Sequence, residues 1–118
     1  MNQLVTYNSL VGYELEKIRL GKGIDQADLA ASCGMSQPVL SRLERGKAAI
    51  SIDQLFVICQ ALEVSPSEVI EAARQSVDAI GQEDSVEVKT TKELGTGAAL
   101  LTGAAVGAVL GILLSKKK

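Results

Sequence analysis

The chain has 118 residues, with 12 Lys or Arg against 14 Asp or Glu, two Cys, no His and only 3% aromatic residues. That length holds one small domain plus an appendage. Without histidine a classical His/Cys zinc site lacks its residues, and no nucleophile–base pair stands out, so no catalytic group, cofactor or metal is expected. The N-terminus shows no basic region followed by an apolar core, which argues against a secretory signal. Cys33 and Cys59 both lie in apolar helical segments and read as free, buried thiols of a reducing cytosol.

Val11, Leu15 and Ile18 recur at spacings of four and three and mark one face of a first helix. Residues 24–47, IDQADLAASCGMSQPVLSRLERGK, then carry two short helices around a glycine turn. Asp25 occupies the N-cap of the earlier one, where its side chain is expected to accept from first-turn backbone donors, and Asp28 adds negative charge at the positive helix end. Leu29 and Ala30 face inward, and Gly34 closes the helix in the left-handed geometry that glycine adopts cheaply. Ser36 caps the next helix, and Pro38 sits near its first position, where no needed hydrogen bond is lost. Leu40 and Leu43 form its buried stripe. Gln37, Ser41, Arg42 and Arg45 are left for the outer face, and Gly46 terminates the helix. This is the layout of a helix-turn-helix that places its second helix in the DNA major groove, although an ordinary helical hairpin shows the same polar spacing.

Ser51-Ile52-Asp53-Gln54 is a capping-box start for a fourth helix, with Leu55, Ile58, Cys59 and Leu62 on its apolar face. Ser65-Pro66-Ser67-Glu68 repeats the signature and opens a fifth helix running from Pro66 to about Ile80. Its Ile70, Ala73, Val77 and Ile80 fall at a-d-a-d spacing, fit to pack on their own domain or on the same helix of a second subunit. Two-fold pairing would suit a domain that reads two half-sites.

Helix periodicity stops at residue 82. The alternation of Val86 and Val88 with charged residues fits a short edge strand, but a flexible polar linker over 81–93 is the expectation. Residues 94–114, LGTGAALLTGAAVGAVLGILL, carry no charge and precede Ser115 and the terminal Lys116, Lys117 and Lys118. A helix of that length spans roughly 30 Å, the thickness of a bilayer core. Gly95, Ala99, Gly103, Gly107 and Gly111 recur every fourth residue, a seam that permits close self-association between helices. A membrane anchor is the expectation for this segment. A water-soluble bundle of tails and folding back onto the domain are the alternatives. A single span would put the three lysines outside, against the positive-inside rule, unless they snorkel to lipid phosphates.

Residues 10–70 resemble the phage-repressor (Cro/XRE-type) helix-turn-helix family. The resemblance runs through Leu15, Ile18, Arg19, Ile24, Gln26, Leu29, Ala30, Gly34, Ser36, Leu40, Leu43, Glu44, Gly46, Leu55, Ala61, Leu62 and Val64. It implies an all-α, five-helix domain over 1–80, followed by the linker and the apolar 94–118 tail, which is not part of the family. It also implies that Gln26 touches a DNA phosphate, and that Gln37, Pro38, Ser41 and Arg42 face base edges beside the capping Ser36. Gln can bond bidentately to adenine and Arg to guanine. Pro38 replaces the usual polar residue and could only pack on a thymine methyl. Arg45 and Lys47 sit where the family approaches the DNA backbone, and Arg19 and Glu44 match a structural salt bridge. The family often has proline near Ile50.

Charge sets the terms of such binding. Residues 1–80 hold seven Lys or Arg and ten Asp or Glu, a net of −3. Positive charge is local, at Arg42, Arg45 and Lys47 with Lys22 nearby, so modest affinity per domain, strong salt dependence and two or more copies are expected. The expected protein is a non-enzymatic, bacterial or phage-type DNA-binding regulator, dimeric or larger. Its partners would be double-stranded DNA, further copies of itself and, through 94–114, lipid at the inner membrane. The alternative locates it in a soluble cytoplasmic assembly. A second reading is a structural or interaction protein whose tail drives assembly, with DNA binding secondary or lost. A third is an antitoxin-like autoregulator, for which no protein-partner motif stands out.

Overall fold

The structure is a computed structural model that describes residues 3–81 and 86–89. Its elements are β1 (Gln3–Thr6), α1 (Tyr7–Gly21), α2 (Gln26–Ser32), α3 (Gln37–Glu44), α4 (Ile52–Leu62), α5 (Pro66–Gly81) and β2 (Val86–Lys89). The five expected helices are present. A two-stranded parallel sheet is added to them, pairing Gln3 with Val86 and Thr6 with Lys89. The sequence reading had no strand at residues 3–6 and preferred a linker where β2 lies. Four residues give too few alternations to mark a strand, and the partner that stabilises each is far along the chain.

The helix starts follow local chemistry. Thr6 Oγ1 accepts from the Ser9 N–H at 3.0 Å and Ser9 Oγ accepts from the Thr6 N–H at 3.1 Å, a capping box for α1. Ser51 and Gln54 form the expected box for α4, with both bonds at 3.0 Å. For α5 the expected Ser65–Glu68 box is replaced by two serines. Ser65 Oγ accepts from the Ser67 N–H at 3.2 Å and pairs with Ser67 Oγ at 2.6 Å.

The main core joins Leu15 of α1, Leu29 and Ala30 of α2, Leu40 and Leu43 of α3, and Leu55, Ile58, Cys59 and Leu62 of α4. A second cluster joins Val5 of β1 and Leu10 of α1 to Ala73 and Ile80 of α5. Much of the α5 stripe therefore packs on its own domain. Ile70 does not, being 48% exposed while Val69 is fully buried. A 3.6-residue helix drifts against a seven-residue repeat, and here the drift turns Val69 inward at the start of the helix. Where α1 crosses α3, a Cβ on Gly12 would collide with the carbonyl oxygens of Leu43 and Glu44. Only glycine lets the two backbones approach that closely. The proposed self-association seam of Gly95, Ala99, Gly103, Gly107 and Gly111 lies outside the described residues. Among those that are described, no helix is long and apolar enough to cross a membrane.

Candidate nucleic-acid interface

The α2–α3 pair is set by its turns. Gly34 has φ +68° at the end of α2, and Gly46 has φ +74° just after α3. Asp25 has the extended backbone of an N-cap, but its carboxylate makes no cap bond. That carboxylate is exposed and its charge acts on Arg19 instead. Ser36 Oγ accepts from the Val39 N–H at 3.3 Å, and Pro38 lies in the first turn of α3, as expected.

Beneath the pair sits a buried ion pair. Arg19 Nε donates to Glu44 Oε2 at 2.8 Å and Arg19 Nη2 to Glu44 Oε1 at 3.1 Å, while Nη1 reaches the Ile24 carbonyl at 2.9 Å. Glu44 is fully buried. The hydrogen bond to its carboxylate raises the Arg19 pKa; burial opposes the rise, and the charges of Glu44, Glu16 and Asp25 add to it. This fork ties α1 to the end of α3 and to the entry of α2.

The network continues outward. Gln26 Nε2 donates to Glu44 Oε1 at 2.8 Å, and Gln37 Nε2 donates to Gln26 Oε1 at 3.2 Å. A continuous chain thus runs from Arg19 through Glu44 and Gln26 to the first residue of α3. It leaves Gln26 one free amide N–H, and leaves Gln37 its carbonyl oxygen and one N–H. The spacing of these residues, spread over three helices, gave no hint of the link between the two glutamines.

Gln37, Pro38 and Arg42 are exposed on α3 and Ser41 is half-buried. Arg45 and Lys47 follow on the exposed exit from α3, whose backbone closes with the Lys47 N–H on the Arg42 carbonyl at 2.9 Å. Among the described residues none of these three cations has a salt bridge or side-chain hydrogen bond. The other arginines are spent internally. Arg19 is bound to Glu44, and Arg74 pairs with Glu71 and with Asp78 at 2.8 Å on the surface of α5. The charge count of the sequence hides this partition, which leaves unpaired positive charge around the end of α3. Glu16, which the sequence reading passed over, lies between the two systems. Burial raises its pKa first, then the Glu44 charge, while Arg19 and Arg45 oppose the rise.

No group of metal-ligating residues occurs among the described residues. Cys59 is buried as expected, but Cys33 is only half-buried, with Sγ 3.9 Å from the Val57 carbonyl. Burial raises both thiol pKa values, which disfavours the thiolate form.

The helix-turn-helix family matches residues 15–69. Over 61 residues the chain is 39% identical to an uncharacterized HTH-type transcriptional regulator of Sinorhizobium fredii, covering 52% of this chain and 79% of that protein. It is 33% identical over 63 residues to control protein C.BamHI of Bacillus amyloliquefaciens, covering 52% and 78%. Among solved structures, the clp gene regulator ClgR of Corynebacterium glutamicum superposes with a TM-score of 0.62 at 33% identity, covering 66% of this chain and 84% of that one.

Proposed function

The chain belongs to the helix-turn-helix family of non-enzymatic, DNA-binding transcriptional regulators, and from that premise we propose how its own residues divide the work. Gln37, Ser41 and Arg42 read base edges from α3, and Pro38 packs on a thymine methyl. Gln26, through its remaining N–H, joins Ser36, Arg45 and Lys47 at the phosphates. Phosphate contacts set register and base contacts set sequence preference. The observation that carries this reading is the side-chain chain Arg19–Glu44–Gln26–Gln37, which fixes the first residue of an otherwise exposed, unpaired face. A pre-oriented Gln37 keeps both an acceptor and a donor for adenine.

One domain offers few cations, so two or more copies on a repeated or two-fold site supply the affinity. The uncharged segment 94–114 supports such gathering, at the bacterial inner membrane or in a bundle of tails. The domain division at residue 80 belongs to the same reading.

The test is selection of a preferred duplex from random sequences with the full-length protein, followed by titration of that duplex and of the Arg42→Ala variant. The variant is expected to lose about 1–3 kcal/mol of specific binding while keeping most of its non-specific binding. Equal loss on both duplexes would make Arg42 a phosphate contact, and no loss would remove it from the interface.

A further inference from the structure

Away from α3, the described surface carries an apolar strip that the DNA-binding reading does not use. One groove of about 220 Å³ is lined by Tyr7 and Val11 of α1 and by Ile70, Ala73 and Val77 of α5, with Arg74 at its edge. A second, of about 140 Å³, shares Tyr7, Val11 and Ile70 and continues past Asn8, Ile50 and Ser51 to Ile52 and Leu55. Tyr7 and Ile70 are each 48% exposed and Ile52 is 69% exposed. The shared residues make this one strip, and an apolar surface of that kind marks a binding site on a small protein.

The sheet brings a matching occupant to its end. β2 pairs in parallel with β1, and its last residue, Lys89, lies opposite Thr6, the residue before Tyr7. A parallel partner leaves the sheet in the same direction as the strand beside it. Lys89, the end of the described strand, therefore lies next to the first turn of α1, which borders the strip. Four residues, 90–93, separate Lys89 from the uncharged segment and reach at most about 14 Å when extended. The segment that follows holds 21 uncharged residues with a small residue at every fourth position. A helix with that seam has the smooth face that close packing against Ala73 and Val77 needs. Three lysines end it, and the strip runs toward the start of α5, where Glu68 is exposed.

The geometry points to residues 94–114 of the same chain as the occupant of the α1–α5 strip: a latch that stores the segment on the domain until copies gather through it. This inference is independent of the base-reading assignment for α3. The latched state keeps the segment from lipid and from other tails, and release converts a free monomer into one unit of an array.

The test uses the full-length protein, dilute and free of lipid, with the photo-crosslinker p-benzoyl-phenylalanine at Tyr7. Irradiation is expected to join Tyr7 to the tryptic peptide 93–116 of the same chain, with a yield independent of protein concentration. Ile70→Glu, a surface change that leaves the helical circular dichroism intact, is expected to cut that yield about tenfold by setting a carboxylate against apolar side chains. The same variant should bind neutral phospholipid vesicles more tightly than the parent. Adducts that form only between chains would give the strip to a second copy and overturn the proposal. So would the absence of any adduct with 93–116, or a yield that Ile70→Glu leaves unchanged.

Discussion

Glu44→Ala would leave the Arg19 guanidinium buried with only the Ile24 carbonyl as partner. Breaking a buried pair in this way costs about 3–5 kcal/mol, so a large fall in the urea midpoint is expected. Arg19→Met combined with Glu44→Leu should recover much of that loss, because no unpaired charge remains. If the double variant were as unstable as the single one, the ion pair would be supporting more than itself. Gln26→Ala tests the outward arm. It removes a half-buried amide, so stability should change little while Gln37 loses its anchor. If Gln37 reads an adenine as proposed, specific binding is expected to fall by about 1–3 kcal/mol, chiefly at that base. Glu14 poses a different question, because it is buried between α1 and α5 without an arginine. Burial raises its pKa above 4.5, opposed by the Lys17 ammonium and then the Ser76 hydroxyl. A carboxyl raised in the folded state contributes most stability below its unfolded value and loses that contribution as pH rises through the folded one. Glu14→Gln should therefore stabilise the domain at pH 7, with the advantage shrinking as pH falls through the raised folded pKa and gone below about pH 4.5, as thermal melts at several pH values would show. The Arg19–Glu44 pair was legible because two residue types at two known positions define it. The glutamine link was not, since either amide alone looks like an ordinary surface residue.

At the scale of elements, two glycines of α1 separate contact from propensity. Gly12→Ala would push a methyl into the Leu43 and Glu44 carbonyls, whereas nothing lies within 4 Å of a Cβ on Gly21. The first change should cost about 1–3 kcal/mol or more by overpacking. The second should stabilise α1 by up to about 1 kcal/mol, the helix propensity of Ala over Gly. Chemical denaturation of the two variants checks both signs, and a stable Gly12→Ala would mean that α1 and α3 separate easily. The same contrast explains what could be read in advance. Caps, stripes and turn glycines act within three or four residues, so α3 and α4 were placed from Ser36, Ser51, Gly34 and Gly46. The α1–α3 crossing at Gly12 and the β1–β2 pairing depend on residues brought together from far apart. In α5 the surface of its own domain takes Val69 into the interior and leaves Ile70, the first residue of the a-d-a-d stripe, exposed.

At the scale of the whole molecule, the acidic balance of the domain has to be reconciled with binding a polyanion. The ion pairs sort that balance by location. Arg19 and Arg74 are neutralised by Glu44, Glu71 and Asp78, while Arg42, Arg45 and Lys47 keep their charge at the end of α3. With α3 as the proposed docking face, attraction is short-ranged and confined to that face, since exposed charges further away are screened within a Debye length of about 8 Å at physiological salt. If Arg45 and Lys47 each neutralise one phosphate and Arg42 is divided between base and backbone, about two to three counterions leave per domain. The slope of log affinity against log salt should then be about −2 to −3 for one domain, and about twice that for two copies on a two-fold site. Lys47→Gln should reduce its magnitude by about 0.9 per bound domain without altering the preferred sequence. Anisotropy titrations of the selected duplex from low to physiological salt measure both quantities. A slope near zero would contradict phosphate docking at the α3 exit. A slope that Lys47→Gln leaves unchanged would move the electrostatic contact to another face, with Lys17 and Lys22 the exposed cations outside a salt bridge that remain among the described residues.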